Sequence, residues 1–148
     1  MRYAQTQALI GQLLQDDAFR HYSLQERTTA AQRIMSEVMG RMMEDIVLLE
    51  TQAAMPNVQV FPLQFAVGEF DMVVFDQGSQ SCEIYEIKHS TEIVPEQMRH
   101  LLDRKKCEDT AFRFGEIKRK CVIYRGPAAA VGEIEYINVE DYLRGLGK

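Results

Sequence analysis

The chain has 148 residues, 46% of them hydrophobic, and a net charge of −5 at pH 7. This length suits one compact core better than two, so we expect a single domain over residues 1–148, with residues 1–24 as an N-terminal extension packed on it. No apolar run approaches the ~18 residues of a membrane span, and no signal-peptide layout begins the chain, which favours a cytoplasmic protein without membrane contact.

Charge and cysteines narrow the function classes. The three cysteines (Cys82, Cys107 and Cys121) are odd in number and never form a C-x-x-C pair, so neither a disulfide framework nor a zinc site is indicated. A net negative charge argues against nucleic-acid binding, but nine basic residues against four acidic ones lie between positions 99 and 125. Two interpretations stay open for this segment, a solvated charged face and a phosphate-binding patch.

The first part of the chain is predicted to be helical. A short helix is expected around Thr6 to Leu14, followed by a loop through Asp16 to Leu24 and a long helix from Gln25 to Ala54. The long helix carries an apolar stripe at helical spacing, which is typical of a face packed in the core. Its members are Met35, Met39, Met42, Ile46 and Leu49.

Strand periodicity begins after Pro56. Three consecutive antiparallel strands are predicted from runs rich in Val, Ile, Phe and Tyr, at Val58 to Phe65, Glu69 to Phe75 and Cys82 to Lys88. A helix capped by Ser90 or Thr91 then continues to about Thr110.

Short elements complete the predicted fold. They are a buried strand at Cys121 to Tyr124, a strand at Ile134 to Ile137 and a helix at Val139 to Leu146. The predicted order ααβββαββα defines an α/β fold with a mixed sheet flanked by helices.

The second and third strands bring acidic residues together. A turn at Gly78 and Ser79 gives the register in which Asp71 faces Glu86 and Glu69 faces Lys88. Because side chains alternate across a strand, these four residues share one face, whose other end is apolar. Opposed carboxylates repel each other unless a cation intervenes, so the pattern predicts a site for Mg²⁺, with Mn²⁺ as a substitute.

Each residue of this pattern has an expected role. Asp71, Glu86 and Glu69, with the backbone carbonyl of Ile87, are the candidate metal ligands, and Lys88 is the candidate electrostatic catalyst. The alternative interpretation is an ordinary lattice of cross-strand ion pairs at a solvated sheet end. The histidines at positions 21, 89 and 100 are unclustered in the sequence and are expected to be satisfied or exposed.

Asp71, followed after fourteen residues by Glu86-Ile87-Lys88, resembles the PD-(D/E)XK nuclease superfamily. The resemblance implies a restriction-endonuclease-like fold and metal-dependent hydrolysis of nucleic acid, with DNA as the expected substrate. It also implies a further catalytic acid on the long helix, where Glu44 matches best, although Glu44 lies opposite the methionine stripe. The superfamily's proline before the first acid is replaced by Phe70, and Gln97 resembles the glutamine that some branches place on the following helix, although it is expected to face solvent.

More narrowly, residues 16 to 148 are similar to the C-terminal nuclease-like domain of bacterial and archaeal AAA+ type ATPases. Because the chain has no G-x-x-x-x-G-K-[ST] loop, it cannot bind ATP by that means. The resemblance implies an ATPase domain or a second copy of the chain as a partner. The alternatives to a nuclease are an inactive module of the same fold that docks nucleic acid or protein, and an unrelated α/β interaction domain whose ionic hairpin is only structural.

Overall fold

The computed structural model describes residues 22–147 and, before them, residues 4, 7, 8 and 11. The helix predicted around Thr6 to Leu14 therefore lies largely outside the described residues. Two compact units are distinguished within the chain, residues 1–43 and residues 44–148, and each is considered by itself. That the chain forms a single domain stays a prediction.

Helix α1 (Leu24–Ala54) confirms the long helix predicted from the sequence. Its start is fixed by a capping box: the Ser23 hydroxyl accepts a hydrogen bond from the Glu26 N–H, and the Glu26 carboxylate accepts one from the Ser23 N–H. This reciprocal pair satisfies two amides that the helix itself leaves without acceptors.

The prediction that the apolar stripe of α1 is core is wrong. All five of its side chains are exposed, from 44% at Met39 to 61% at Leu49. The buried residues of α1 are instead Val47 and Thr51. Glu44 precedes them by three and seven residues, and it therefore lies on the buried side of the helix. The apolar residues do recur at helical spacing, but spacing alone does not show which face of a helix another element covers.

Three antiparallel strands follow, as predicted: β1 (Gln59–Gln64), β2 (Glu69–Asp76) and β3 (Ser81–Ile87). Strands β2 and β3 are paired from Asp76–Ser81 to Met72–Tyr85, which is the predicted register. The connection is a four-residue loop over residues 77–80 rather than the two-residue turn assumed. The Asp76 carboxylate holds this loop by accepting from the N–H of Gly78 at 2.9 Å.

The predicted helix from Ser90 to Thr110 is divided in two. A 3₁₀-helix covers Pro95–Met98, and helix α2 covers Arg104–Phe114. Asp103 begins α2 as its N-cap, because its side chain accepts from the Lys106 N–H at 3.1 Å. The Ser90 hydroxyl instead bonds within a turn to the backbone of Glu92.

Strands β4 (Glu116–Tyr124), β5 (Ala129–Val131) and β6 (Ile134–Asn138), then helix α3 (Val139–Leu146), complete the described chain. The sheet has the order β1-β2-β3-β4-β6-β5, with β4 parallel to both β3 and β6. The predicted mixed sheet with flanking helices is confirmed. Strand β5 was not predicted, because Ala129–Val131 follows Pro127 and is exposed.

One face of the sheet forms the main core under α2 and the 3₁₀-helix. Val73 and Phe75 of β2 meet Cys82 and Ile84 of β3 there, as the alternation of the hairpin predicts. The cluster also includes Leu63, Phe70, Met98, Leu101, Val122, Tyr124, Ile134 and Tyr136. Tyr85 alternates with Ile84 and contacts the other side, where its ring packs against Tyr142.

Among the described residues, no helix combines the length and the apolar composition that a membrane crossing requires.

Candidate metal centre

A β-bulge turns the start of β2 away from the regular ladder. Phe61 pairs with Val73 and Leu63 pairs with Phe70, so one residue of β1 lies opposite two residues of β2. The single residue is Pro62, which has no N–H to donate. The two opposing residues are Asp71 and Met72, and bulges of this kind redirect side chains beside functional sites.

The bulge places Asp71 beyond the last pair of β2 and β3. Its Oδ2 atom accepts a hydrogen bond from the Ile87 N–H at 2.8 Å. Beyond the last pair of β2 and β3, the Asp71 carboxylate thus takes the place of a backbone acceptor for the Ile87 N–H. The side chain is 6% exposed, so the position of Asp71 is fixed by burial as well as by this bond.

Three carboxylates from two elements meet at this place. Ligand atoms of Glu44 on α1 and of Glu69 and Asp71 on β2 all lie within 4.8 Å of one another. Such a cluster could hold a metal ion, because hard divalent cations take several carboxylate oxygens as ligands.

Lys88 joins Asp71 to a fourth acid, Glu86. Its ammonium nitrogen lies 3.1 Å from Glu86 Oε2 and 3.8 Å from Asp71 Oδ2. Burial alone would lower the pKa of Lys88, but the charges of Glu86, Asp71 and Glu44 raise it above its ordinary value. Lys88 is therefore a cation that compensates the surrounding acids.

The carboxyl group of Glu86 is the most perturbed acid of the site. Burial raises the pKa of Glu86 to about 9, and the charge of Asp71 and a hydrogen bond with it add to this effect, while Lys88 opposes it. Glu86 is 1% exposed, and its Oε1 atom has no hydrogen-bond partner. It is the one buried side-chain oxygen or nitrogen without a partner in the part of the chain that the structure describes.

This orphaned oxygen and the donor set fit a hard cation. A buried polar atom without a partner costs free energy, and a bound ion would supply the missing interaction. The candidate side-chain donors are all carboxylate oxygens, a type of ligand that suits Mg²⁺ and Mn²⁺ better than softer metals.

The structure brings together the side chains that the sequence singled out, with two differences. Asp71 and Glu86 do not form a strand pair, because the ladder ends one residue earlier. At Ile87 the N–H group contacts Asp71, whereas the carbonyl as a metal ligand stays a prediction. Glu44, the best match on the long helix, lies within the acidic cluster.

Two side chains differ from their predicted environments. Gln97 is buried rather than exposed, and its amide oxygen accepts from the Tyr136 hydroxyl at 2.9 Å and from the Val94 N–H at 3.2 Å. This role is structural. His100 was interpreted as unclustered, yet the charges of Lys88 and Asp71 act on its ring. The available signal in the sequence is Gly68, because a glycine permits another group to approach the backbone closely, and the His100 ring packs on it.

Five of the nine basic residues between residues 99 and 125 form ion pairs within the chain. Lys and Arg side chains on α2 and β4 form ion pairs of 2.7–3.7 Å with nearby acids. These pairs are Arg104–Glu108, Lys106–Asp103, Lys118–Glu116, Arg119 with Glu83 and Glu135, and Lys120–Glu133. A continuous phosphate-binding patch on these residues is therefore disfavoured.

Comparison with known proteins gives no match to a family model, to a curated protein or to a solved structure.

Proposed function

We propose that this chain is a metal-dependent nuclease-like domain that hydrolyses phosphodiester bonds of nucleic acid, with DNA as the expected substrate. The observation that carries the proposal is the buried, unpartnered Oε1 atom of Glu86 beside Asp71 and Lys88. A purely structural ion pair would satisfy its own buried oxygens. The pattern of acids also agrees with the resemblance to the PD-(D/E)XK superfamily.

Asp71, Glu86 and Glu69 would hold the ion, with Glu44 completing the acidic shell. Mg²⁺ is the proposed cofactor and Mn²⁺ its substitute, because both accept an all-oxygen set of ligands. When bound, the ion would polarise a phosphate oxygen and lower the pKa of a coordinated water.

Lys88 supplies the electrostatic part of the reaction. A water oxygen forms a new bond to phosphorus and one ester bond breaks, which yields a phosphate monoester and a free hydroxyl end. Negative charge gathers on the phosphoryl oxygens and on the leaving oxygen during this exchange. The Lys88 ammonium, positioned by two carboxylates, stabilises that charge and cannot serve as a base while it is protonated.

The test combines calorimetry with Mg²⁺ or Mn²⁺ and cleavage of plasmid DNA on the same preparations. We expect Asp71→Ala to lose both metal binding and cleavage, and Lys88→Ala to lose cleavage while it still binds metal. Glu133→Gln, which removes an exposed acid elsewhere, serves as the matched control. Wild-type protein that neither binds metal nor cleaves DNA would overturn the proposal.

A second candidate is an inactive module of the same fold that docks nucleic acid or protein, with an ATPase domain or a second copy as partner. The net charge of −5 and the internal pairing of the basic residues favour it. Metal binding without cleavage of any nucleic acid would support this candidate over the first.

A further inference from the structure

The turn between β1 and β2 forms one wall of a cavity of about 370 Å³, here called the turn cavity. The start of α2 forms the other wall. Three apolar side chains (Phe65, Ala66 and Val67) and four charged ones (Asp103, Lys105, Lys106 and Asp109) line it. Its volume is in the range of small-molecule sites, and its mixed lining suits a ligand with one apolar part and one charged part.

The turn cavity adjoins the candidate metal centre through the chain itself. The Phe65 N–H donates to the Gly68 carbonyl at 2.9 Å and closes the turn. The next residue is Glu69, a member of the acidic cluster. The turn that lines the cavity therefore leads directly into Glu69, a candidate metal ligand.

His100 packs against the turn at Gly68. Its ring packs so closely on Gly68 that an added Cβ atom would overlap the imidazole, and Gly68 also has a φ of +85°, which favours glycine. Burial, followed by the positive charges of Lys106, Arg99 and Lys88, lowers the pKa of His100, and the Asp71 carboxylate opposes this. The imidazole is thus within electrostatic reach of the candidate site.

Lys106 fixes the tautomer of His100. The lysine Nζ atom lies 2.7 Å from His100 Nδ1, and an ammonium group can only donate, so Nδ1 is the acceptor. The neutral ring therefore carries its proton on Nε2 and offers an N–H group. Lys106 also lies 3.7 Å from Asp103 and 5.7 Å from the centre of the Phe65 ring, so it ties the two walls together.

We infer that the turn cavity binds the nucleotide next to the scissile phosphate, and that the substrate is single-stranded there. This inference rests on the proposed function. Phe65 and Val67 supply an apolar surface for an unpaired base, Lys105 supplies charge for a phosphate, and the His100 Nε2–H group donates to a phosphodiester oxygen. A base that remains paired and stacked in a duplex cannot enter a cavity of this kind, whereas an unpaired base packs on apolar and aromatic side chains.

The acids of the turn cavity have different expected effects. The Asp103 carboxylate is engaged as the N-cap of α2 and beside Lys106. Asp109 lies one turn after Lys105 on the same helix and is exposed. Its negative charge opposes a phosphate in the turn cavity, so its removal should strengthen binding.

The test compares two substrates and a binding assay. A fluorescein-labelled single-stranded DNA oligonucleotide can fill the turn cavity, whereas bis(p-nitrophenyl) phosphate reports only the chemistry at the metal. Oligonucleotide binding is followed by fluorescence anisotropy in Ca²⁺, together with a duplex of the same sequence. The variants are Val67→Asp, Lys105→Gln and Asp109→Asn, with Lys118→Gln as the matched control, and all four positions are exposed.

We expect Val67→Asp and Lys105→Gln to raise KM and Kd for the oligonucleotide about fivefold or more and Asp109→Asn to lower both, because each changes a contact or charge in the turn cavity. Hydrolysis of bis(p-nitrophenyl) phosphate should not change, and Lys105→Gln should reduce the slope of log Kd against log salt by about one. The inference is overturned if Val67→Asp and Lys105→Gln bind the oligonucleotide like wild type, if wild type does not bind it, or if the duplex binds equally well. Loss of all hydrolysis, with the variant effects on binding intact, would instead overturn the nuclease proposal and leave the turn cavity as a binding site for single-stranded DNA.

Discussion

The Asp71 carboxylate accepts a hydrogen bond from the Ile87 N–H, 2.8 Å away, across the end of the β2–β3 hairpin. The bond forms where the bulge opposite Pro62 has ended the regular ladder. It satisfies a buried peptide group and holds the carboxylate beside Lys88 and within the acidic cluster. Asp71 therefore has a structural role and a proposed chemical role that can be tested separately.

Two substitutions of Asp71 separate these roles. Asp71→Ala leaves the Ile87 N–H without its acceptor, whereas Asp71→Asn keeps an oxygen in place. We expect the alanine variant to be less stable than the asparagine variant by about 1–3 kcal/mol in urea unfolding without metal. Both variants should lose metal binding, because neither carries the carboxylate charge. Equal stability of the two variants would contradict the structural role.

Glu86→Gln should change how stability depends on pH. Folding raises the pKa of Glu86 from an ordinary 4.5 to about 9, so within this window the folded state holds a proton that the unfolded state has lost. Stability in a chelating buffer therefore falls as pH rises through the window. Glutamine does not ionise, so the stability of the variant relative to wild type should increase steadily as pH rises from 4.5 to about 9.

Urea unfolding at several pH values measures this difference. Glu133→Gln, which changes an exposed carboxyl, is the control and should follow wild type throughout. A constant difference between Glu86→Gln and wild type across the window would show that the Glu86 carboxyl is ionised in the metal-free protein.

The buried side of α1 can be checked by paired truncations. Val47 is fully buried and Met39 is 44% exposed. Val47→Ala should lower the free energy of unfolding by about 2 kcal/mol, because it leaves a cavity. Met39→Ala should change it by less than about 0.5 kcal/mol, as exposed substitutions usually do. Urea unfolding midpoints, with an unchanged denaturant slope, measure both changes in stability. A larger loss of stability in Met39→Ala than in Val47→Ala would contradict the assignment of the Val47 side as the buried face of α1.

Lys88→Ala tests the electrostatic role in the proposed reaction. Loss of a charge that stabilises the transition state typically lowers kcat by about 10²–10³-fold. We expect this loss under saturating metal, with little change in KM for the substrate. Lys118→Ala, which removes an exposed lysine of β4, should retain activity. A Lys88→Ala enzyme with wild-type kcat would remove Lys88 from the mechanism.

Local pattern was enough to predict most of the fold. The hairpin register follows from strand alternation and the position of the turn. It is the same for a two-residue and a four-residue loop, because residues 77–80 are centred on the predicted turn at Gly78 and Ser79. Helix α3 was predicted with the bounds that the structure has. The helix after β3 was not, because the Asp103 cap starts a new helix where the apolar period alone suggests continuity.

The site required information that alternation does not contain. Asp71, Glu86 and Lys88 share a strand face and could be grouped from the sequence. The bulge at Asp71 and Met72, which decides what the carboxylate contacts, depends on Pro62 in a different strand. Glu44 lies opposite the methionine stripe, and it reaches the acidic cluster because the stripe is exposed and the other side of α1 is buried. His100 is brought near by tertiary packing on Gly68.

Calorimetric titration of Mg²⁺ into the wild-type protein and into Asp71→Asn, with Glu133→Gln as the charge-matched control, shows whether Asp71 is part of a metal centre. We expect saturable binding by wild type and by Glu133→Gln, and its loss in Asp71→Asn. Binding that is equal in all three proteins, or absent from wild type, would contradict a metal centre at Asp71.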